Sequence, residues 1–143
     1  MPIELVEYTI FELRGKLGRL FSTNLKLNNN RKNYLNLGCA DMYKDNFINV
    51  DYFDNGKIDY GMDLRYPFKI ESNSIDGIFS EHTFEHLSHK EVDNALSECY
   101  RILKNGAIIR IIVPDLSILI RKYYENDAAW FESWYNLVLD HPS

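Results

Sequence analysis

Four places in this chain hold residues whose types and spacing could do chemistry. Gly38 follows Tyr34–Leu37, in which Tyr34, Leu35 and Leu37 are apolar and strand-compatible, and Asp51 ends Phe47–Val50 thirteen positions after Gly38. Asp63 ends Ile58–Asp63, and Ser80-Glu81-His82 ends the run that starts at Ile75. A glycine directly after a strand lets the chain turn sharply and lets a ligand approach the backbone. A carboxylate at the tip of the next strand can accept hydrogen bonds from the hydroxyls of a ribose. Histidine titrates near neutrality, so His82 could take a proton from a reacting group, with Glu81 and His86 behind it. His82–His86 also matches H-x-x-E-H, in which two histidines four apart on a helix share a metal. No third ligand is singled out, and the segment leaves a buried strand directly, so metal-assisted hydrolysis is the weaker reading and no metal is expected.

The elements around these residues decide whether they can meet. Tyr34–Leu37, Phe47–Val50, Ile58–Asp63, Ile75–Ser80 and Ala107–Val113 read as five short strands. Ser88–Lys104 reads as the clearest helix. Ser88 and Glu91 form a capping box, and Val92, Ala95, Leu96, Cys99, Ile102 and Leu103 make its buried face. Asp115 can cap a following helix with Leu116, Leu119, Ile120, Tyr123 and Tyr124 on its apolar side, and an aromatic helix with Trp130, Phe131, Trp134 and Tyr135 comes last. Ahead of the strands, Ile3–Leu20 has apolar residues at alternating steps of three and four, as in an amphipathic helix, and Ser22–Asn33 reads as a polar linker. Residues 1–33 are thus expected to be a helix and linker, and residues 34–143 the main domain. Strands alternating with helices or loops call for a mainly parallel sheet with right-handed crossovers. In such a sheet the carboxyl ends of the strands carry Gly38, Asp51, Asp63 and Ser80–His82 on one rim, where ligands of open α/β sheets bind.

Composition narrows the classes. The chain has 143 residues, 45% of them hydrophobic and 26% charged, with a net charge of −5. This fits one globular domain and does not favour nucleic-acid binding. No apolar run is long enough to span a bilayer, and Ile108–Val113 is broken by Arg110. Cys39 and Cys99 fit no metal spacing and suggest a reducing, cytoplasmic setting or simple core packing.

The blocks LNLGCA, INVD, MDLRYPF, IDGIFSEHTFEHL and ECYRILKNGAIIRIIVPDL, in this order across Tyr34–Leu116, resemble the class I S-adenosylmethionine-dependent methyltransferases, above all a small bacterial branch associated with surface glycans. Together with the alternation of elements, the resemblance implies a three-layer Rossmann-like fold with strand order 3-2-1-4-5. It places Gly38, Cys39 and Ala40 against the methionine part of S-adenosyl-L-methionine and Asp51, with Tyr52 beside it, on the ribose. Asp63 and Leu64 then lie at the adenine, and Ser80, Glu81 and His82 face the methyl group and acceptor. The chain departs from the family at Ala40, where a second glycine is usual, and at Leu103–Ala107, where Leu-Lys-Pro-Gly-Gly is usual. It also stops at Ser143, before the family's usual last two strands.

The resulting expectation is methyl transfer to a hydroxyl or amine of a small molecule or glycan, with His82 and Glu81 as catalytic residues. The alternative is a non-catalytic protein of the same fold that acts through a partner. Strand five, apolar and β-branched, would form a sheet edge, and a homodimer through it or a last helix folded over it would hide that edge.

Overall fold

The computed structural model describes residues 9–10, 12–13, 23–52 and 56–139. The chain divides into two compact units, Met1–Ile112 and Val113–Ser143. The first is built on strands β1 (Tyr34–Leu37), β2 (Phe47–Asp51), β3 (Tyr60–Gly61), β4 (Ile75–Glu81) and β5 (Leu103–Ile112). Every pairing is parallel, as the alternation of elements predicts, and the order β3-β2-β1-β4-β5 is the one expected from that alternation together with the family resemblance. This is the Rossmann-like arrangement, with five strands among the described residues.

Register explains the core. Leu35, Ile48, Ile78 and Ile109 stand in one row across the sheet, and Leu37, Val50, Ser80 and Ile111 in the next row of the same face. Helix α1 (His89–Ile102) adds Ala95, Cys99 and Ile102, all buried, to the same apolar cluster. Their spacing of four and three residues is the helical period that the sequence carries. Glu91 fixes the start of α1 by accepting from both Ser88 N (2.8 Å) and Ser88 Oγ (2.6 Å), which holds its carboxyl below the usual range. At its other end α1 passes straight into β5. That strand starts four residues earlier than expected, because Lys104–Ala107 bulge within it rather than forming a separate turn. Ile75 faces Leu103 while Gly77 already faces Ile108, and Gly106 supplies a φ of +79°. Ile108 is 74% exposed, so β5 is not covered on both faces as its apolar run suggests.

The opposite face carries a different row: Asn49, Asn36, Phe79 and Arg110. Parallel neighbours are usually joined by a crossover of a dozen or more residues, most often a helix. Here β1 and β2 are joined by nine residues without a helix. Two buried asparagines make this link workable. Asn36 Nδ2 donates to Met42 O and to Asn49 Oδ1, both at 2.9 Å. Asn49 Oδ1 also accepts from Lys44 N at 2.9 Å, and Asn49 N donates to Asp59 Oδ2 at 2.8 Å. Lys44 Nζ lies 4.1 Å above the Phe79 ring, so the link crosses this face of the sheet.

The stretch read as a linker is part of this body. Leu25 and Leu27 pack against the core, Leu25 N donates to Lys69 O at 3.0 Å, and Tyr60 Oη donates to Thr23 O at 2.8 Å. The helix expected over Ile3–Leu20 lies largely outside the described residues, of which 9–10 and 12–13 are helical.

In the second unit, α2 (Leu116–Tyr124) is capped by Asp115, whose Oδ1 accepts from Ser117 N at 2.8 Å. Helix α3 (Ala128–Leu139) follows, with the Trp130 and Phe131 rings edge to face at 5.1 Å. Among the described residues no helix is long and apolar enough to cross a membrane.

Asn36→Ala removes the donor that satisfies Met42 O and Asn49 Oδ1 and leaves a buried gap. It should destabilise the protein by about 2–3 kcal/mol. Urea denaturation checks this, and a loss below about 0.5 kcal/mol would show that the nine-residue link does not depend on the asparagine pair.

Candidate active site

Because all strands run parallel, their carboxyl ends share one rim. Leu37 stands level with Val50 and Ser80, Asp51 with Gly61, and Glu81 with Ile112. Gly38, Asp51, Asp63 and His82 follow or end those strands, so the residues singled out by sequence do gather at one edge. A separate cavity of about 200 Å³ lined by Lys26, Asn28, Arg31 and Asn33 also touches Phe47 and Ile48, the first residues of β2, and so belongs to the opposite rim.

The turn after β1 is tied to β2. Gly38 N and Cys39 N both donate to Val50 O, at 2.8 and 3.1 Å. Ala40 N donates to Asp51 Oδ2 at 2.8 Å. Asp51 therefore already braces the turn that it was expected to face across a ligand. Gly38 has a φ of +66°, and a Cβ there would stand 2.8 Å from Thr83 Cβ and closer still to its Oγ1 and Cγ2. The space freed by this glycine is thus taken by Thr83. Ala40, where the resembling family has glycine, adopts a φ of +41°. That left-handed conformation is one glycine takes freely and alanine takes at a cost. Cys39 points inward and is buried. Burial, and then the nearby Asp51 charge, push its thiol up to about 11, so it is neither a nucleophile nor a base at neutral pH.

Thr83 is a residue the sequence reading missed. Its Oγ1 lies 3.1 Å from Glu81 O and 3.3 Å from both Leu37 O and Gly38 O. One hydroxyl proton can satisfy only one of these at a time. Nothing in local sequence marks Thr83, because two of its three neighbouring carbonyls, Leu37 O and Gly38 O, belong to residues more than forty positions away. Ser80, expected at the ligand, is fully buried and donates from Oγ to Leu37 O at 3.0 Å. It supports the rim from beneath. Leu64, expected beside an adenine ring, packs into the apolar core.

Beyond β4 the backbone of His82 takes a φ of +52°, and its N–H donates to Ile112 O at 3.0 Å. A left-handed, non-glycine residue at a strand tip is the kind of local strain that clusters at functional sites. His82 Nδ1 lies 3.3 Å from Glu85 Oε1, with the imidazole about half exposed. Glu85 then sits in a single 3-10 turn, Phe84–His86, so the two histidines of H-x-x-E-H do not share one helical face. Among the described residues no group of three or more His, Cys, Asp or Glu is placed to hold a metal ion.

Asp63 is 7% exposed and is gripped by Arg65. Arg65 N and Nε donate to Asp63 Oδ1 at 3.1 and 2.9 Å, and Nη2 donates to Oδ2 at 2.9 Å. Arg65 Nη1 reaches Glu12 Oε1 at 2.8 Å. Asp63 and Glu12 together push the guanidinium further up. Sequence reasoning overlooked Arg65, although its place two residues after the acid was a visible signal.

Residues 60–111, from β3 to near the end of β5, match the methyltransferase domain family. No curated protein matches the chain. Among solved structures it is similar to a SAM-dependent methyltransferase from Archaeoglobus fulgidus, with a TM-score of 0.45 and 23% identity over 68% of this chain and 51% of that one. The chain thus spans about half the length of that protein. The match lies in one segment of the chain and supports a methyltransferase domain there.

Two substitutions test the turn. Ala40→Gly should raise stability by about 0.5–1 kcal/mol by removing the left-handed penalty. Gly38→Ala should lower it by about 2 kcal/mol or more, through the positive φ and the collision with Thr83. Thermal denaturation reads both, and equal small effects of the two would contradict this geometry.

Proposed function

We propose that this chain binds S-adenosylmethionine at the carboxyl rim and transfers its methyl group to a hydroxyl or amine of a small molecule or glycan. The observation that carries the reading is the convergence of the β1 turn, Asp51, Asp63 and His82 on one edge of a parallel sheet whose segment 60–111 matches a methyltransferase domain. The donor chemistry fits the cofactor. Asp51 offers a carboxylate to the ribose hydroxyls with Tyr52 next to it, and Asp63 offers one to the adenine amino group. The Gly38–Ala40 turn, its three amides already bonded to Val50 O and Asp51 Oδ2, would lie toward the amino-acid arm. When bound, the cofactor supplies a methyl group already activated on a sulfonium.

The residues of this chain then have two tasks, placement and proton removal. His82 turns Nδ1 to Glu85, which leaves Nε2 to receive the acceptor's proton. Glu81, the last residue of β4, stands beside it and helps to place the acceptor. The surface-glycan association rests on the sequence resemblance, and the cytoplasmic setting on two unpaired, buried cysteines. Self-association through the outer edge of β5 belongs to the same reading, supported by exposed Ile108 and Ile111.

A second reading has its own support. Ala40 stands in a glycine conformation and Thr83 fills the space beside Gly38, which suits a protein that keeps the fold and acts through a partner without transferring methyl groups.

Calorimetric titration with S-adenosylhomocysteine separates the two. The enzyme reading expects one site per chain, weakened by about 2–4 kcal/mol in Asp51→Ala. No binding heat would favour the partner reading. Once an acceptor is known, His82→Ala should lower turnover by about 100-fold or more with little change in cofactor affinity. Loss of cofactor binding with intact turnover per complex would instead make His82 a binding residue.

A further inference from the structure

We infer that Arg65 is a positioning residue for base recognition: it holds the Asp63 carboxylate in the orientation that selects a 6-amino purine. The inference rests on the cofactor reading above, but it concerns a side chain which that reading does not use. Three donors of Arg65, one from the backbone and two from the guanidinium, converge on the two oxygens of Asp63. Both side-chain bonds are 2.9 Å, the geometry of a planar fork on a carboxylate. The fork is itself held from three sides. Glu12 Oε1 takes Nη1 at 2.8 Å, and the Tyr52 and Tyr66 rings lie with centroids 5.5 and 6.0 Å from the guanidinium carbon. Arg65 thereby links the end of β2, the loop after β3 and the helical residues around Glu12 at the edge where Asp51 and Asp63 stand.

The physical consequence is specific. Without a fixed partner the Asp63 carboxylate could rotate about its last torsion, which is broad for aspartate. Bound by the fork, Asp63 has its carboxylate plane set, and an acceptor in a fixed direction discriminates between ring substituents. A 6-amino group donates to it, whereas a 6-oxo group presents a second acceptor and is repelled. Lysine cannot substitute, because a point charge on a flexible stem does not fix a carboxylate plane.

The test compares S-adenosylhomocysteine with S-inosylhomocysteine, which differs by 6-oxo for 6-amino, by calorimetry on the wild type, Asp63→Ala, Arg65→Ala, Arg65→Lys and the Asp63→Ala/Arg65→Ala double variant. The wild type should prefer the adenosyl ligand by about tenfold or more. Arg65→Ala and Arg65→Lys should both lose most of that preference, and the double variant should be no worse than Asp63→Ala alone, because Arg65 acts through Asp63. Melting curves accompany each variant. A folded Arg65→Lys that keeps the full preference overturns the inference, as does additive loss in the double variant. If neither Arg65 variant folds, Arg65 is a structural residue and the inference falls. A wild type that binds both ligands equally overturns the inference and leaves the cofactor reading standing. A wild type that binds neither removes both.

Discussion

The geometry of the rim depends on how β1 reaches β2. A link of nine residues between parallel neighbours leaves no room for a covering helix, so its backbone groups need partners from the sheet itself. Asn36 and Asn49, level with each other on adjacent strands, supply those partners at Met42 and Lys44 and to one another. Their placement fixes where the link begins and ends. That in turn fixes the Gly38–Ala40 turn at one end and Asp51 at the other, close enough for Ala40 N to bond Asp51 Oδ2. An apolar pair in this row would leave the part-buried Met42 O and the Lys44 backbone groups without these partners, at a cost of about 1 kcal/mol or more for each.

A second layer of constraint comes from β4. Ser80 donates its hydroxyl to Leu37 O, and Thr83 Oγ1 stands within 3.3 Å of Leu37 O and Gly38 O and 3.1 Å from Glu81 O. The glycine at position 38 is therefore required by its neighbour as much as by its own φ. Strain is accepted on both sides of this contact, at Ala40 and at His82, each with a positive φ. Such strain persists only where surrounding bonds over-determine the backbone. Here those bonds are Ala40 N to Asp51 and His82 N to Ile112 O.

Much of this was legible before any coordinates, and the reasons are physical. The parallel sheet and its shared rim follow from alternating elements and handed crossovers, which local pattern reveals, whereas the strand order also needed the family resemblance. Helix α1 was legible because its cap and its apolar period agree. Other features depend on partners distant in sequence. Thr83 looks like any polar loop residue until Gly38 is placed beneath it. Asp63 reads as a free acid until Arg65 folds back onto it. Ser80 and Leu64 sit next to the rim in sequence, but alternation along a strand and the packing of the following loop turn them inward. Leu25 and Leu27 were masked by an asparagine-rich stretch, and Lys104-Asn105-Gly106 has the composition of a turn although it forms a bulge within β5.

The most direct test of the central claim, that the carboxyl rim of the first unit is a nucleoside site, is a map of backbone amide shifts on addition of S-adenosylhomocysteine. The account predicts saturable changes confined to Gly38–Ala40, Asp51–Tyr52, Asp63–Arg65 and Glu81–Thr83. Changes centred on the amino-end cavity around Asn28–Asn33, or no changes at all, would contradict it.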